Sequence, residues 1–349
     1  MPVLRVLAWA DYAIPSINEL FERSTDVRVE CELFDQNEDA HARLAAAPDR
    51  YDVVFADGHW PAHYLAHDLV QPLRTADCQS WPDVDPAIAE WCSTELWPAG
   101  EDAIAAYPAN WGIRGLISDP ARGDACDSWA SLWTIPTGRL WLNSQGSEVL
   151  AETALAAGLR AAEIYDLTDD RLDVVAARLV ELAPGLGGIW SLLPELEDAF
   201  ASHGAWVAEV HTTALVSNLE WKLGRSLDVT IPSEGTIGYL DGAMVTAASS
   251  IPELAAAFID LLFSPKGVEA QWAESDGYPP ASAAGRERLS AEPRYRAKLE
   301  RAERDLPALR ACQLYRPATD VAAYLIGWKT VLKNVNAPVP PEVLKAVGL

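Results

Sequence analysis

The sequence has few cysteines, little positive charge against its negative charge, and no long hydrophobic run. Its five cysteines are scattered and never spaced as CxxC, which argues against a disulfide framework or a zinc knuckle, although a single bridge stays open. No run of about 18 apolar residues is present, so no membrane-spanning segment is predicted. The formal net charge of -24 argues against nucleic acid as a partner, because its phosphates would be repelled.

A secretory leader is also missing from the pattern of the first residues. Met1 and Pro2 lead directly into the first predicted strand, with neither a basic nor an apolar segment before it. We therefore expect either that a leader has been removed ahead of residue 1, or that the protein works in the cytoplasm.

What the sequence does contain is enough apolar material for a sizeable core. Half of the 349 residues are hydrophobic and 22% are charged, and the length suits about two domains. The acidic balance would raise the concentration of cations near any cleft.

The first third of the chain alternates between strand and helix patterns. Strands are predicted at residues 4–9, 27–34 and 51–56, and helices at 14–23, 38–47 and 61–67. This βαβαβ order predicts a twisted, parallel sheet with right-handed crossovers, on which ligands bind beyond the carboxyl ends of the strands.

A looser stretch rich in Trp, Pro and acidic residues follows at 74–100, and then a second α/β set. Extended segments are predicted at 104–108, 114–118, 139–143, 206–210, 227–231 and 236–246. Helices are predicted at 147–157, 169–182, 194–202, 214–223, 252–262 and 266–274, followed by a helical C-terminal region.

The end of the first strand carries the most telling motif, Trp9-Ala10-Asp11-Tyr12. A flat aromatic face attracts a small organic cation, and a carboxylate accepts its N–H donors. The alternative is a strand end that carries aromatic residues for packing alone.

In their order and spacing, the segments resemble the periplasmic spermidine/putrescine-binding proteins of ABC importers over residues 4 to about 333. The resemblance is carried by short blocks: Trp9-Ala10-Asp11-Tyr12, Tyr51-Asp52-Val53-Val54, Asp127-Ser128-Trp129-Ala130-Ser131-Leu132-Trp133, Leu227-Asp228-Val229, Ile231-Pro232-Ser233-Glu234-Gly235, Tyr239-Leu240-Asp241 and Gly277-Tyr278-Pro279. It implies an α/β, two-lobed periplasmic-binding-protein fold of type II, each lobe a mostly parallel sheet flanked by helices and hinged by crossing strands. We expect lobe 1 at 1–107 and 240–305, and lobe 2 at 108–239 and 306–349.

The resemblance also implies an amine site. The implied ligand-binding residues are Trp9, Asp11, Tyr12, Asp57, His59, Glu148, Tyr239 and Asp241. Asp11 and Asp241 would accept from an ammonium group, while Trp9 and Tyr239 would enclose the methylene chain. Gln145 replaces a carboxylate usual in the family, and a family tryptophan expected near 210–213 is missing.

Simpler roles for two of these acids stay open. Asp241 could be a turn residue before Gly242, and Glu148 a first-turn acid at the positive end of a helix.

The predicted function is to bind a polyamine or related small organic cation in the inter-lobe cleft and deliver it to an ABC transporter permease. We expect a monomer, periplasmic or extracellular, with no cofactor and no enzymatic activity. The alternatives are a receptor for another solute, amino-acid-like or a metal ion, and a hydrolase acting on an amine. No GxSxG elbow, P-loop or dinucleotide fingerprint supports an enzyme.

Three histidines recur at a spacing of four: His59, His63 and His67. That spacing predicts one helix face, which could hold a transition metal or, more simply, face the solvent. His59 could also line the ligand site, which would make binding depend on pH.

Overall fold

The computed structural model describes residues 2–123, 126–275 and 277–349. The chain forms two compact units. Unit 1 comprises Met1–Trp111, Tyr239–Glu303 and Leu314–Arg316, and unit 2 comprises Gly112–Gly238, Arg304–Gln313 and Pro317–Leu349.

The elements of the first part of the chain follow the predicted alternation. They are β1 (Val3–Ala8), α1 (Pro15–Thr25), β2 (Arg28–Leu33), α2 (Asn37–Ala46), β3 (Val53–Asp57), α3 (Trp60–Ala66), β4 (Leu73–Arg74), α4 (Pro86–Trp91), β5 (Ala103–Ile104) and β6 (Tyr107–Ile113).

The middle of the chain forms a second set. Its elements are β7 (Gly115–Ser118), β8 (Leu140–Asn143), α5 (Gly146–Ala156), α6 (Asp169–Leu182), β9 (Gly188–Trp190), α7 (Leu193–Ala201), β10 (Val207–Val210), α8 (Val216–Leu223) and β11 (Asp228–Thr230).

The last part returns to unit 1 before it ends in unit 2. Its elements are β12 (Ile237–Val245), α9 (Pro252–Phe263), α10 (Pro265–Glu274), α11 (Ala283–Leu289), α12 (Pro293–Ala311), β13 (Gln313–Leu314), α13 (Val321–Leu332) and α14 (Pro341–Ala346).

The sheet of unit 1 has the strand order β13-β12-β3-β1-β2, with β6 also paired to β12. Strands β2, β1 and β3 are parallel, as the βαβαβ pattern predicts. Strand β12 joins β3 in the antiparallel direction, with Asp241 directly opposite Asp57. Both β3 and β12 are buried along their whole length, so they form the centre of this sheet.

The sheet of unit 2 has the order β11-β7-β10-β8-β9. Strands β10, β8 and β9 are parallel, and β7 and β11 extend them in antiparallel fashion. Helix α5 is buried over most of its length and packs against α6 and α13.

Two parts of the chain escape the sequence pattern. The stretch 74–100, expected to be loose, contains α4, and the short strands β4 and β5 pair at its two ends. Helix α4 begins in the usual way, because the Asp85 side chain accepts from the Ala87 N–H and Pro86 occupies the first turn. Strand β9 starts with Gly188, where a Cβ would lie 2.4 Å from the Trp141 ring. Close packing against Trp141 thus requires glycine at position 188. Because glycine is uncommon in strands, the sequence does not predict β9.

Among the helices of the described residues, none has both the length and the apolar composition that crossing a membrane requires.

The segment Leu314–Arg316 packs at the junction between β3 and α3. The His59 N–H donates to the Tyr315 carbonyl oxygen at 2.7 Å. Gly58 precedes it with a φ of +57°, and a Cβ at Gly58 would lie 2.0 Å from the same carbonyl oxygen. Only glycine allows the two backbones to approach so closely.

This junction gives a test by substitution. We expect Gly58→Ala to lower the free energy of unfolding by about 3 kcal/mol, because it adds the left-handed backbone cost to an overpacked contact. Gly224→Ala is the matched control, since Gly224 has a φ of +64° and nothing within 4 Å of its Cβ position. The control should lose about 1 kcal/mol in urea unfolding followed by circular dichroism. Equal losses in the two variants would contradict the close approach.

Candidate functional site

The first-strand motif lies where β1 ends, in a short 3-10 turn at Ala10–Tyr12. Tyr12 is buried and its ring stacks on Phe55 of β3, with a centroid distance of 4.4 Å. Trp9 and Asp11 are half-buried, and the Trp9 ring lies 6.4 Å from the Tyr12 ring. The turn therefore fixes Tyr12 in the core, while its two neighbours keep access to solvent.

The Tyr12 hydroxyl donates a hydrogen bond to Oδ2 of Asp241, which is 7% exposed in the middle of β12. Burial raises the pKa of Asp241 to about 8; the bond from Tyr12 opposes the rise and Asp11 adds to it. Burial and the Asp241 charge together raise the pKa of Tyr12 well above its usual value. At neutral pH this carboxyl group is therefore mostly protonated in the unliganded protein.

The interpretation of Asp241 as a turn residue is wrong, because β12 continues through Gly242. A Cβ at Gly242 would lie 2.6 Å from Cβ of Ala106 and 3.2 Å from the Trp97 ring. The glycine thus serves close packing rather than a chain reversal.

Asp57 ends β3, buried and directly opposite Asp241 in the register. Direct partners in an antiparallel pair point to the same face of a sheet. The Asn37 side-chain amide donates to Oδ1 of Asp57 at 2.9 Å, and the Asp57 N–H donates back to Oδ1 of Asn37 at 3.3 Å. Asn37 was not among the predicted site residues, and its only signal in the sequence is an asparagine that begins a helix after a strand.

His59 precedes the first residue of α3 and is exposed. The pKa of His59 is lowered mainly by desolvation and further by the charge of Arg316. Its imidazole is therefore neutral at pH 7. That ligand binding depends on the titration of His59 remains a prediction. The lowered pKa moves the expected pH range of this effect downwards.

Tyr239 and Tyr315 form a second aromatic pair in unit 1. Both are buried, and their ring centroids are 5.9 Å apart. The charge of an ionised Tyr239 would also act on the Tyr12 hydroxyl, so Tyr239 lies near the Tyr12–Asp241 pair. Tyr315 and Arg316 were missed, because nothing in the local pattern after α12 indicates that the chain returns to this sheet.

In unit 2, Glu148 lies in the first turn of α5 and is 7% exposed. Gln145 immediately precedes this helix, and its side-chain oxygen accepts from Nη1 of Arg114 at 2.6 Å. Arg114 thereby orients the Gln145 side chain.

Arg114 is fully buried and also binds two acids. Its Nε contacts Glu152 at 2.5 Å and its Nη2 contacts Glu209 at 2.6 Å. Burial raises the pKa of both acids, and the Arg114 charge opposes that rise. The sequence gives only a weak signal for this cluster, an arginine between apolar residues at 113 and 116.

The loop after β10 holds His211 where a family tryptophan was expected. Its ring lies 5.5 Å from that of Trp190, which is buried and donates from its indole N–H to the Glu209 carbonyl at 2.9 Å. An imidazole backed by an indole thus occupies this position.

The histidine row does not form one helix face. His63 lies within α3, while His59 and His67 flank the helix at its two ends. The His63 ring packs against His67 at 4.2 Å and against His41 of α2 at 5.2 Å. Within residues 2–123, 126–275 and 277–349, no group of three or more metal-ligating side chains is arranged to hold a metal ion.

Seven of the eight predicted residues therefore lie in unit 1, and Glu148 lies in unit 2. Within unit 1 the structure joins Tyr12 to Asp241 by a hydrogen bond and sets Asp57 opposite Asp241. The Asp57 carboxylate accepts from Asn37, and His59 is held by the Tyr315 segment.

The two sheets define the class of protein, the two-lobed periplasmic-binding-protein fold. An ABC transporter protein of Listeria monocytogenes matches with a TM-score of 0.75 at 18% identity, over 96% of this chain and 99% of that chain. The spermidine/putrescine substrate-binding protein PotD of Streptococcus pneumoniae matches with a TM-score of 0.67 at 19% identity, over 96% and 98%. The predicted fold class is confirmed.

The chain belongs to the bacterial extracellular solute-binding protein family, whose model matches residues 17–292. It is 26% identical over 296 residues to the spermidine/putrescine-binding periplasmic protein of Escherichia coli, with 81% of this chain and 79% of that protein covered. The resemblance found in the sequence is confirmed, and the class is one of solute-binding proteins rather than enzymes.

The raised pKa of Asp241 predicts how stability changes with pH. An unfolded Asp titrates at about 3.9, so between that pH and about 8 the folded state binds more protons than the unfolded state. The stability that Asp241 contributes is fully present below about pH 4 and is lost as the pH rises towards 8. Asn cannot ionise, so Asp241→Asn should gain at least about 1 kcal/mol over the parent between pH 5 and 8 in urea unfolding. A difference between the two proteins that stays constant with pH would contradict the raised pKa.

Proposed function

We propose that the protein binds a small organic cation of the polyamine class beside the Tyr12–Asp241 pair of unit 1 and delivers it to an ABC importer. The observation that carries the proposal is a buried carboxyl group without an internal counter-charge. Among the described residues, Asp241 has no lysine or arginine partner, and its hydrogen bond comes from the neutral Tyr12 hydroxyl. A bound ammonium group would supply the missing positive charge.

Unit 2 shows the contrasting case. Glu152 and Glu209 are as deeply buried as Asp241, but Arg114 lies between them and provides a fixed cation. Glu152 and Glu209 thus have a fixed cation beside them, whereas Asp241 does not. Since a buried charge costs several kcal/mol unless it is paired, this difference favours a ligand that brings the charge with it.

The surrounding groups suit an alkylammonium ion. An ammonium group has three donors and no acceptor, and Asp241 and Asp11 can accept from it. The half-buried Trp9 and the Tyr239 ring offer aromatic faces for the cation and its methylene chain. A charge-assisted hydrogen bond contributes roughly 1.5–3 kcal/mol net, so one such bond decides one to two orders of magnitude in affinity.

The relatives support the solute class and the partner. The Escherichia coli relative is named as a spermidine/putrescine-binding periplasmic protein. By analogy we assign this chain to the periplasm or the cell exterior, with a transporter permease as its partner. Trp9, Asp11, Tyr12, Asp57, His59, Glu148, Tyr239 and Asp241 remain the proposed ligand-binding residues.

Amine binding should depend on the ionisation of Asp241. Because a cation prefers the ionised carboxylate, binding should release close to one proton per ligand at pH 6.5, and affinity should rise from pH 6 to 8. Isothermal titration calorimetry in buffers of different ionisation enthalpy measures both quantities. The compound used in the calorimetry is the one that binds most tightly in a thermal-shift panel of putrescine, spermidine and aliphatic amino acids.

Substitution of Asp241 tests the same site. Asp241→Asn should lower the affinity at least tenfold and abolish proton release, since the charged acceptor is lost. Asp52→Asn is the matched control, because Asp52 is also 7% exposed but accepts from the Arg5 N–H and the Ser249 hydroxyl at the opposite end of β3. Unchanged affinity in Asp241→Asn, or a panel without any binding amine, would refute the proposed site.

A further inference from the structure

The connection between β2 and α2 contacts two of the proposed ligand-binding residues. The Trp9 ring packs against Phe34, with a centroid distance of 4.6 Å, and its indole N–H donates to the Asp35 carbonyl oxygen at 3.4 Å. Two residues further on, Asn37 forms two hydrogen bonds with Asp57, which ends β3. One short segment thus touches both an aromatic ring and an acid of the proposed site.

The two bonds between Asn37 and Asp57 close a ring. The Asn37 amide donates to Oδ1 of Asp57 at 2.9 Å, and Oδ1 of Asn37 accepts from the Asp57 N–H at 3.3 Å. Both side chains are buried. Because turning the carboxyl group would break the first bond and turning the amide would break both, the pair fixes the direction of the Asp57 carboxylate.

These bonds are not what the start of a helix requires. An asparagine at a helix start usually accepts from an N–H group of its own first turn. Asn37 is the first residue of α2, yet its oxygen accepts from β3, and the preceding Gln36 makes no side-chain capping bond. Asparagine is also a poor helix former compared with alanine. The residue at this position therefore serves Asp57 rather than its own helix.

The strand register places the fixed carboxylate beside the other buried acid of the proposed site. Asp57 and Asp241 are direct partners in the antiparallel β3–β12 pair, so their side chains lie on the same face of the sheet. The Asn37 amide holds Asp57, and the Tyr12 hydroxyl holds Asp241. Two acids whose directions are set before the ligand arrives avoid the cost of ordering them on binding.

We infer that Asn37 is a positioning residue of the ligand site, which acts through Asp57 by holding its carboxylate towards a bound cation. This inference rests on the proposed function and adds to the site a residue that need not touch the ligand. Loss of the Asn37 amide would leave the Asp57 charge in place but less well held. Affinity should therefore fall although the net charge of the protein stays the same.

A double-mutant cycle separates this role from a merely structural one. The probe is the compound that binds the parent most tightly in the thermal-shift panel, measured by isothermal titration calorimetry at pH 7.5. Asp57→Asn should lower its affinity at least about tenfold, and Asn37→Ala about fivefold. The double variant should bind no more weakly than Asp57→Asn alone, because Asn37 has no charge to position once Asp57 is replaced. Losses that multiply would mean that the two residues act independently, and would overturn the inference.

Exchanging the two side chains is a second test that keeps the net charge of the parent. The double variant Asn37→Asp/Asp57→Asn retains an amide and a carboxylate that can form the same pair, with the charge moved from β3 to α2. Its stability in urea unfolding should stay close to that of the parent, whereas its affinity should fall as far as that of Asp57→Asn. Binding equal to the parent would show that the place of the charge does not matter, and the inference would then be wrong.

Asn110→Ala is the matched control for Asn37→Ala. Asn110 is 4% exposed against 7% for Asn37, lies in the same unit, and donates from its amide to Oε1 of Gln271 at 3.5 Å, which is not a proposed ligand residue. The control should lose stability but bind the probe as the parent does.

The outcomes distinguish this inference from the proposed function. Unchanged affinity in Asn37→Ala, or in Asp57→Asn, would overturn the positioning role and leave the amine site at Asp241 standing. Failure of every compound in the panel to bind the parent would overturn the proposed function and this inference with it.

Discussion

The structure of unit 1 depends on how a carboxyl group is tolerated in the middle of a buried strand. Asp241 lies in β12, which is buried over all nine residues, and its neighbour across the sheet is another acid, Asp57. Two ionised carboxylates directly opposite each other in a sheet would repel, and the two acids avoid this repulsion in different ways. Asp57 accepts from the Asn37 amide, while Asp241 pairs with the Tyr12 hydroxyl and holds its proton up to about pH 8.

A protonated Asp241 suits the unliganded state of a solute-binding site. A neutral Asp241 costs little to bury, so the unliganded protein can keep the group folded into its core. When a cation arrives, the same group can ionise and provide the full strength of a charged hydrogen bond in surroundings where water competes weakly. Unit 2 instead holds a fixed cation, Arg114, between Glu152 and Glu209, and the same guanidinium also orients Gln145.

The sequence predicted those features that local pattern determines. The βαβαβ order, the burial of β3 and the turn at Trp9–Tyr12 all follow from short-range periodicity. The residues that complete the site come from contacts between distant parts of the chain. Tyr12 and Asp241 are 229 residues apart, and the Tyr315 segment meets His59 through a backbone contact that leaves no mark on the sequence apart from Gly58. At Gly242 the local pattern was misleading. A glycine after an aspartate suggested a turn, but the glycine is required by close packing against Ala106.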